Sequence, residues 1–351
     1  MTRSEMTRSE MTRSERNRGL RATVLSLLGV VMVTSVTGCG AAHSLLGIHE
    51  APAARTASTP LTVDRARMIL TRSFTAAQQG ETLSGAAAAG AQRTAYTGEG
   101  LRAAHARVRL VSLTSRTAEY SLLSPERPRL LAVSRGFAFP RFIVAQTVTS
   151  KGGVPVVHLL TSPDAGTPYR ISVSAEMVPL AKVTPFDPLN QGSPLVTGGS
   201  GLAVAPAALL STYAQSMAFP AKPVSNLPFT TDSFSGQLRA QAAGVAKAVA
   251  AQATFSQVHK VVAGSSYAVR QASGDVLVFG VIRRTDSFAV KAGQAVNTAG
   301  NKAFVLLTGK KKVTKTASVT TLEFVVFAVP RSSGRATLVA VREQVVAGSG
   351  S

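Results

Sequence analysis

Residues 184 to 202, Thr-Pro-Phe-Asp-Pro-Leu-Asn-Gln-Gly-Ser-Pro-Leu-Val-Thr-Gly-Gly-Ser-Gly-Leu, break every regular period, and the chain repeats one order of elements on either side of them. Upstream, Val63, Ala66, Leu70, Phe74 and Ala77 recur at helical spacing, with Arg65, Arg67 and Arg72 off that stripe. After a small-residue stretch, Thr97 can cap a second helix, with Glu99 in its first turn and Leu101, Ala104 and Val108 on one face. Strand patterns then cover 108–120, 129–137, 141–149, 154–160 and 169–178, with turn signals at Ser124-Pro125, Lys151-Gly152-Gly153 and Asp164-Ala165-Gly166. Downstream, Pro206 suits a first helical position ahead of Leu209, Leu210, Tyr213 and Met217. Asp232 can cap a longer helix bearing Phe234, Leu238, Val245 and Val249, and strand patterns follow at 266–270, 276–283, 288–296, 302–307, 319–329 and 337–346. Helices followed by antiparallel strands predict an α+β fold with helices covering one face of a sheet. The expected organisation is two tandem helix-helix-sheet domains, 61–183 and 203–347, joined by the linker 184–202.

The amino terminus decides where the protein works. An apolar run from Val24 to Val36 follows the basic residues Arg16, Arg18 and Arg21, the layout of an export signal, and falls short of the roughly 20 apolar residues that span a bilayer. It ends in Val36-Thr37-Gly38-Cys39, which resembles the lipobox of bacterial lipoproteins. That resemblance implies a lipoprotein signal peptide over 1–38, diacylglycerol and fatty-acyl attachment at Cys39, and anchoring at the extracytoplasmic face of the cell membrane. Residues 1–15 are three copies of Met-Thr-Arg-Ser-Glu, too short for a repeat architecture; Met1, Met6 and Met11 are alternative starts. Residues 39–60, rich in Ala, Ser, Thr and Pro, read as a flexible tether, and its 21 residues after Cys39 have a mean reach of roughly 25 Å.

Cys39 is the chain's one cysteine, which excludes a disulfide framework and a thiolate metal site, so stability must come from apolar cores. The part from Cys39 onward carries 32 Lys and Arg against 14 Asp and Glu, a net charge of +18. A basic exported surface suits anionic lipid or acidic wall polymer. Nucleic acid is not expected, because there is no Trp, there are five Tyr, and no basic motif is interleaved with stacking aromatics. Lys310-Lys311-Lys312 and Lys315 fall between strand patterns, as a solvated hairpin tip or as a contact for anionic head groups.

The helix-helix-sheet order looks like that of the NTF2-like cone fold. With the lipobox, the tether, Pro168-Tyr169-Arg170 before a late strand and Phe229-Thr230-Thr231-Asp232-Ser233-Phe234 at a helix start, residues 24 to 347 resemble an actinobacterial lipoprotein family of unknown function. The resemblance implies two cone-like domains and supplies no activity.

Catalytic motifs fail on context. Gly98-Glu99-Gly100-Leu101-Arg102-Ala103 matches G-x-G-x-x-A, but no hydrophobic strand precedes it. Gly198-Gly199-Ser200-Gly201-Leu202 lacks the final glycine of a nucleophile elbow. His43 and His49 fall in the tether, and His105, His158 and His259 are dispersed without zinc-ligand spacing, so no metal or cofactor is expected. Cone-fold enzymes use an acid or base inside the pocket, and Asp232, Tyr213, Tyr267, His259 and Glu323 are the residues that could converge there.

Two functions remain. One is a non-enzymatic binding or interaction module at the cell envelope; the other is a small-molecule isomerase or hydrolase. A buried carboxylate beside a Tyr or His within a pocket points to the second, and an apolar pocket to the first. Lipid anchoring makes its own prediction: Cys39→Ser leaves the protein soluble or unprocessed, whereas recovery of the variant in membranes at the mature mass would exclude the anchor.

Overall fold

The computed structural model describes residues 58–111, 128–149 and 153–351. The signal peptide, Cys39, most of the tether with His43 and His49, and residues 112–120 of the first expected strand lie outside them. Residues from Ala54 to Ser351 form one compact unit, an α+β fold built on a large antiparallel sheet. Among the described residues, no helix is long and apolar enough to cross a membrane.

Three helices come first: α1 (Val63–Thr82), α2 (Gly85–Ala95) and α3 (Gly98–Val111). Thr62 caps α1 by accepting a hydrogen bond from the Arg65 amide, and Ala66, Leu70, Phe74 and Ala77 of the expected stripe are fully buried. The helix α2 occupies the small-residue stretch, where alanine's high helix propensity acts without an obvious apolar stripe. Residues 108–111, expected to open a strand, continue α3.

Four strands follow, β1 (Arg129–Val133), β2 (Arg141–Val148), β3 (Pro155–Ser162) and β4 (Arg170–Met177), paired in chain order. After them come α4 (Pro206–Ser216) and α5 (Ser233–Val249). The second set of strands is β5 (Ala253–Val261), β6 (Tyr267–Arg270), β7 (Val276–Val290), β8 (Val296–Asn297), β9 (Lys312–Val313), β10 (Thr316–Val329) and β11 (Thr337–Gly350). A short helix, α6 (Lys302–Thr308), lies between β8 and β9. It replaces the strand expected at 302–307, because Asn301 caps it at the Phe304 amide and Gly309 ends it with φ +71°. The separate strands expected at 276–283 and 288–296 are largely one strand, β7.

The two halves do not form separate sheets. The order β1-β2-β3-β4-β11-β10-β7-β5, with β6 on β7, makes one nine-stranded sheet that the expected boundary does not divide. At the join, Met177 pairs with Ala340 and Glu176 with Val341. One apolar cluster runs across it, from Phe142, Val144, Val157 and Leu159 to Phe279, Leu322, Phe324 and Val326. Residues 184–202 are stitched to the sheet: Gly192 and Ser193 are buried, Pro194 accepts from the Arg270 amide, and the Gln271 side chain donates to Thr184. On the outer faces, α1 to α3 cover Ile143, Ala145, Val156, Leu160 and Ile171, while α4 and α5 cover Val276, Val278, Ile282, Val325 and Phe327.

Gly98-Glu99-Gly100 serves the join. A Cβ on Gly100 would lie 2.8 Å from the Ile171 carbonyl oxygen and 2.9 Å from that of Ser172, so only glycine lets α3 approach β4 this closely. Glu99 then reaches Arg283 of β7 at 2.8 Å, an ion pair between the halves. Gly100→Ala should cost about 1–3 kcal/mol and lower the melting temperature by about 5 °C. Gly90→Ala in α2, with nothing within 4 Å of the added carbon, is the control and should not lower it.

His158 on β3 is fully buried, 4.9 Å from the Phe74 ring, with Thr147 Oγ1 and Ser174 Oγ each 2.8 Å from a ring nitrogen. Burial, helped by the Arg342 charge, lowers its pKa to about 3. The unfolded chain therefore takes up a proton below about pH 6.5 that the folded chain refuses. Stability due to this residue is full above that pH and falls by about 1.4 kcal/mol per pH unit as the pH drops toward 3. Denaturant unfolding between about pH 6.5 and 4.5 should show this slope, and His158→Gln should remove it.

Candidate functional site

The period of the second-half strands places a polar band on one face of the sheet. On β5, Phe255, Gln257 and His259 stand opposite Phe288, Asp286 and Arg284 of β7. These in turn oppose Ala317, Val319 and Thr321 of β10, and Thr321 opposes Val345 of β11. One step along, Glu323 stands between Ile282 and Glu343. Directly opposed residues share a face, so seven polar side chains and their apolar neighbours converge there.

The band is held by charge-assisted bonds. Gln257 Nε2 donates to Asp286 Oδ1 at 2.8 Å, which turns its Oε1 toward His259 Nε2 at 3.1 Å. His259 Nδ1 lies 3.0 Å from Glu323 Oε2, so both ring nitrogens have a partner. Arg284 sits in the middle, with Nη1 3.2 Å from Glu323, Nε 3.3 Å from Asp286, and a close ion pair to Glu343. Burial opposes the Arg284 charge, but Glu343, Glu323 and Asp286 outweigh it and raise its pKa. Burial raises the Glu343 carboxyl, against the pull of Arg284 and with a further push from Glu323. The guanidinium occupies the centre of the acidic groups, and among the described residues no group of three or more His, Cys, Asp or Glu is arranged to hold a metal.

Above this band lies a cavity of about 410 Å³. Gln257, Arg284, Asp286 and Thr321 form its floor, and Phe255, Phe288, Val290 and Val319 rise as its walls. On one side Ala242 and Val245 of α5 close it; on the other, Phe304 of α6 and Val313 of β9 do so. Asp232 caps α5 at the Ser235 amide, which fixes the helix at this position. His259 and Glu323 do not line the cavity; their side chains are fully buried behind Gln257 and Arg284.

Of the five residues expected to converge, four form two separate pairs. His259 meets Glu323, as described. Tyr213 donates to Asp232 at 3.2 and 3.3 Å, and burial with the Asp232 charge pushes its phenol far above the ordinary range. Because Asp232 also accepts from the Ser235 amide and hydroxyl, its carboxylate is engaged as a helix cap. Tyr267 packs on the shared apolar cluster instead. His105 is exposed on α3, and Lys310, Lys311, Lys312 and Lys315 are exposed between α6 and β10. Arg284, Gln257 and Asp286 were not anticipated; strand register places them on the face of His259 and Glu323.

No curated protein matches the chain, and no solved structure does. A family model described as a domain of unknown function, DUF8094, matches residues 135–350, from just before β2 to the end of β11 and across residues 184–202. Every strand of the sheet except β1, the ionic band and the cavity lie within this span, and the chain belongs to the DUF8094 family.

Proposed function

We propose that the protein is a non-enzymatic binding module, anchored through Cys39 at the extracytoplasmic face of the cell membrane, whose second-half cavity takes up a largely apolar ligand with a small polar end. The observation that carries this reading is the state of the cavity floor. Gln257, Arg284 and Asp286 are already bonded to one another and to buried partners, so they offer a fixed polar surface and no free acid or base. The three phenylalanines and the valines around them supply apolar area, the main source of affinity in a cavity of this size. The comparison with a cone fold we restrict to the second half, where a sheet and helices enclose one cavity.

The enzymatic reading has one observation in its favour, the buried His259–Glu323 pair next to the floor. Its side chains have no exposed surface, so a substrate would reach them only by displacing Gln257 or Arg284.

Native mass spectrometry of the full chain, released from membranes in neutral detergent, tests the binding reading. A bound mass should survive the native spray and leave on denaturation. Val245→Trp at the cavity wall should abolish it without lowering the melting temperature, since Val245 is 36% exposed and has room to be replaced. An apo mass for the unmodified chain, or a bound mass unchanged in Val245→Trp, would overturn the assignment of this cavity.

A further inference from the structure

The first half carries a second concavity, of about 430 Å³, with the opposite chemical character. Four arginines line it. Arg65 and Arg72 lie seven residues, about two turns, apart on α1. Arg141 opens β2 opposite Ser162 of β3, and Arg170 opens β4 opposite Thr161, so the sheet register brings both to the same end. The one acid in the lining, Asp164, is engaged by its own turn, accepting from the Gly166 amide and the Thr167 hydroxyl at 2.9 Å each. Among the described residues, ion pairs with carboxylates involve Arg67, Arg102, Arg107, Arg135, Arg283 and Arg284, and none of the four in the groove. Arg141 lies over the Phe139 ring, 4.1 Å from its centroid, and donates to the Phe137 carbonyl at 2.7 Å. The buried Nε atoms of Arg141 and Arg170 make no hydrogen bond within the chain. A buried donor left without an acceptor costs about 1–3 kcal/mol, and an anion in the groove would bring acceptors to these two.

We propose that this groove binds a phosphate ester, with the guanidinium groups of Arg65, Arg72, Arg141 and Arg170 around the phosphate and the rings of Phe139 and Tyr169 against the esterified group. Guanidinium forks match phosphate oxygens in pairs, and a phosphate offers more charge and more acceptors than one carboxylate, as four arginines require. The volume leaves room for a substituent beyond the phosphate. Two sources share this chemistry, the head group of an anionic phospholipid and a soluble phosphate ester. Leu61, just past the expected tether, is part of the lining, which favours the head group; that preference alone rests on the reading of Cys39 as the anchor.

The test uses the full chain with Cys39→Ser, exchanged out of detergent, so that neither attached lipid nor detergent enters the result. Glycerol 1-phosphate is titrated by calorimetry. In parallel, co-sedimentation compares phosphatidylglycerol-containing with pure phosphatidylcholine vesicles at about 0.1 M salt, where exposed charges more than about 10 Å apart are largely screened. Arg65→Gln with Arg72→Gln removes two exposed groove charges, and Lys311→Gln with Lys312→Gln removes two exposed charges elsewhere. The arginine pair should weaken at least one probe about tenfold and the lysine pair less than about twofold, a difference of one or two charge-assisted bonds. Loss for glycerol 1-phosphate identifies a soluble ester as sufficient; loss confined to the phosphatidylglycerol-dependent binding identifies the head group. Failure of both probes to bind, or equal losses for the two pairs, would overturn the site.

Discussion

The rest of the structure depends on how β4 is held against β11. Two register pairs make a weak ladder, so the join must be stabilised by what is buried around it. Three features do this. The α3 helix reaches the β4 backbone because Gly100 has no side chain, Glu99 carries an ion pair across to Arg283, and the apolar cluster continues without interruption from β2 and β3 to β7 and β10. With β11 and β10 made central strands, β7 and β5 lie beyond the first half and carry the cavity floor beside α5. The cavity exists because the second half projects from a shared sheet.

Arg284 shows why the cavity floor reads as structure before chemistry. Glu323 has no exposed surface, and an isolated charge there would be very unfavourable. The guanidinium stabilises it only because Asp286 and Glu343 in turn hold the guanidinium in place, and His259 covers the second carboxylate oxygen. Removing one member of such a set leaves an uncompensated buried charge, a change of about 3–5 kcal/mol in comparable pairs. Four strands, β5, β7, β10 and β11, are tied together at this point.

Much of the helical structure was legible because helices carry their own punctuation. Asp232 before α5, Pro206 opening α4 and the stripe from Ala66 to Ala77 in α1 each fix an element locally. The site was hidden for the same physical reason that makes it a site. On β5 the inward positions Gln257 and His259 are polar, so the segment has no hydrophobic period, and Arg284-Thr285-Asp286 looks like a turn between two strands. Each of these side chains is buried only because a partner on another strand satisfies it, and that pairing is a property of register. The boundary at 184–202 misled in a related way. Its Pro and Gly content does interrupt regular structure, but its backbone groups bond to β1 and β6, which no local pattern announces.

The two concavities differ because of how a small number of acids is distributed. The chain has 17 Asp and Glu against 38 Lys and Arg. Several of those acids are committed to single tasks: Glu81 to Arg107, Asp187 to Arg135, Asp232 to a helix cap, Asp164 to a turn, and three to Arg284. In the second half the acids gather around one arginine, and the surface left above them is apolar. Among the described residues of the first half, Arg65, Arg72, Arg141 and Arg170 line one groove and none of them is in an ion pair with a carboxylate. Like charges held together on a folded surface raise the energy of the empty protein, and an anion that relieves them binds more tightly for that reason. Part of the excess of basic residues therefore sits at a place where sheet register and helix spacing give it a shape.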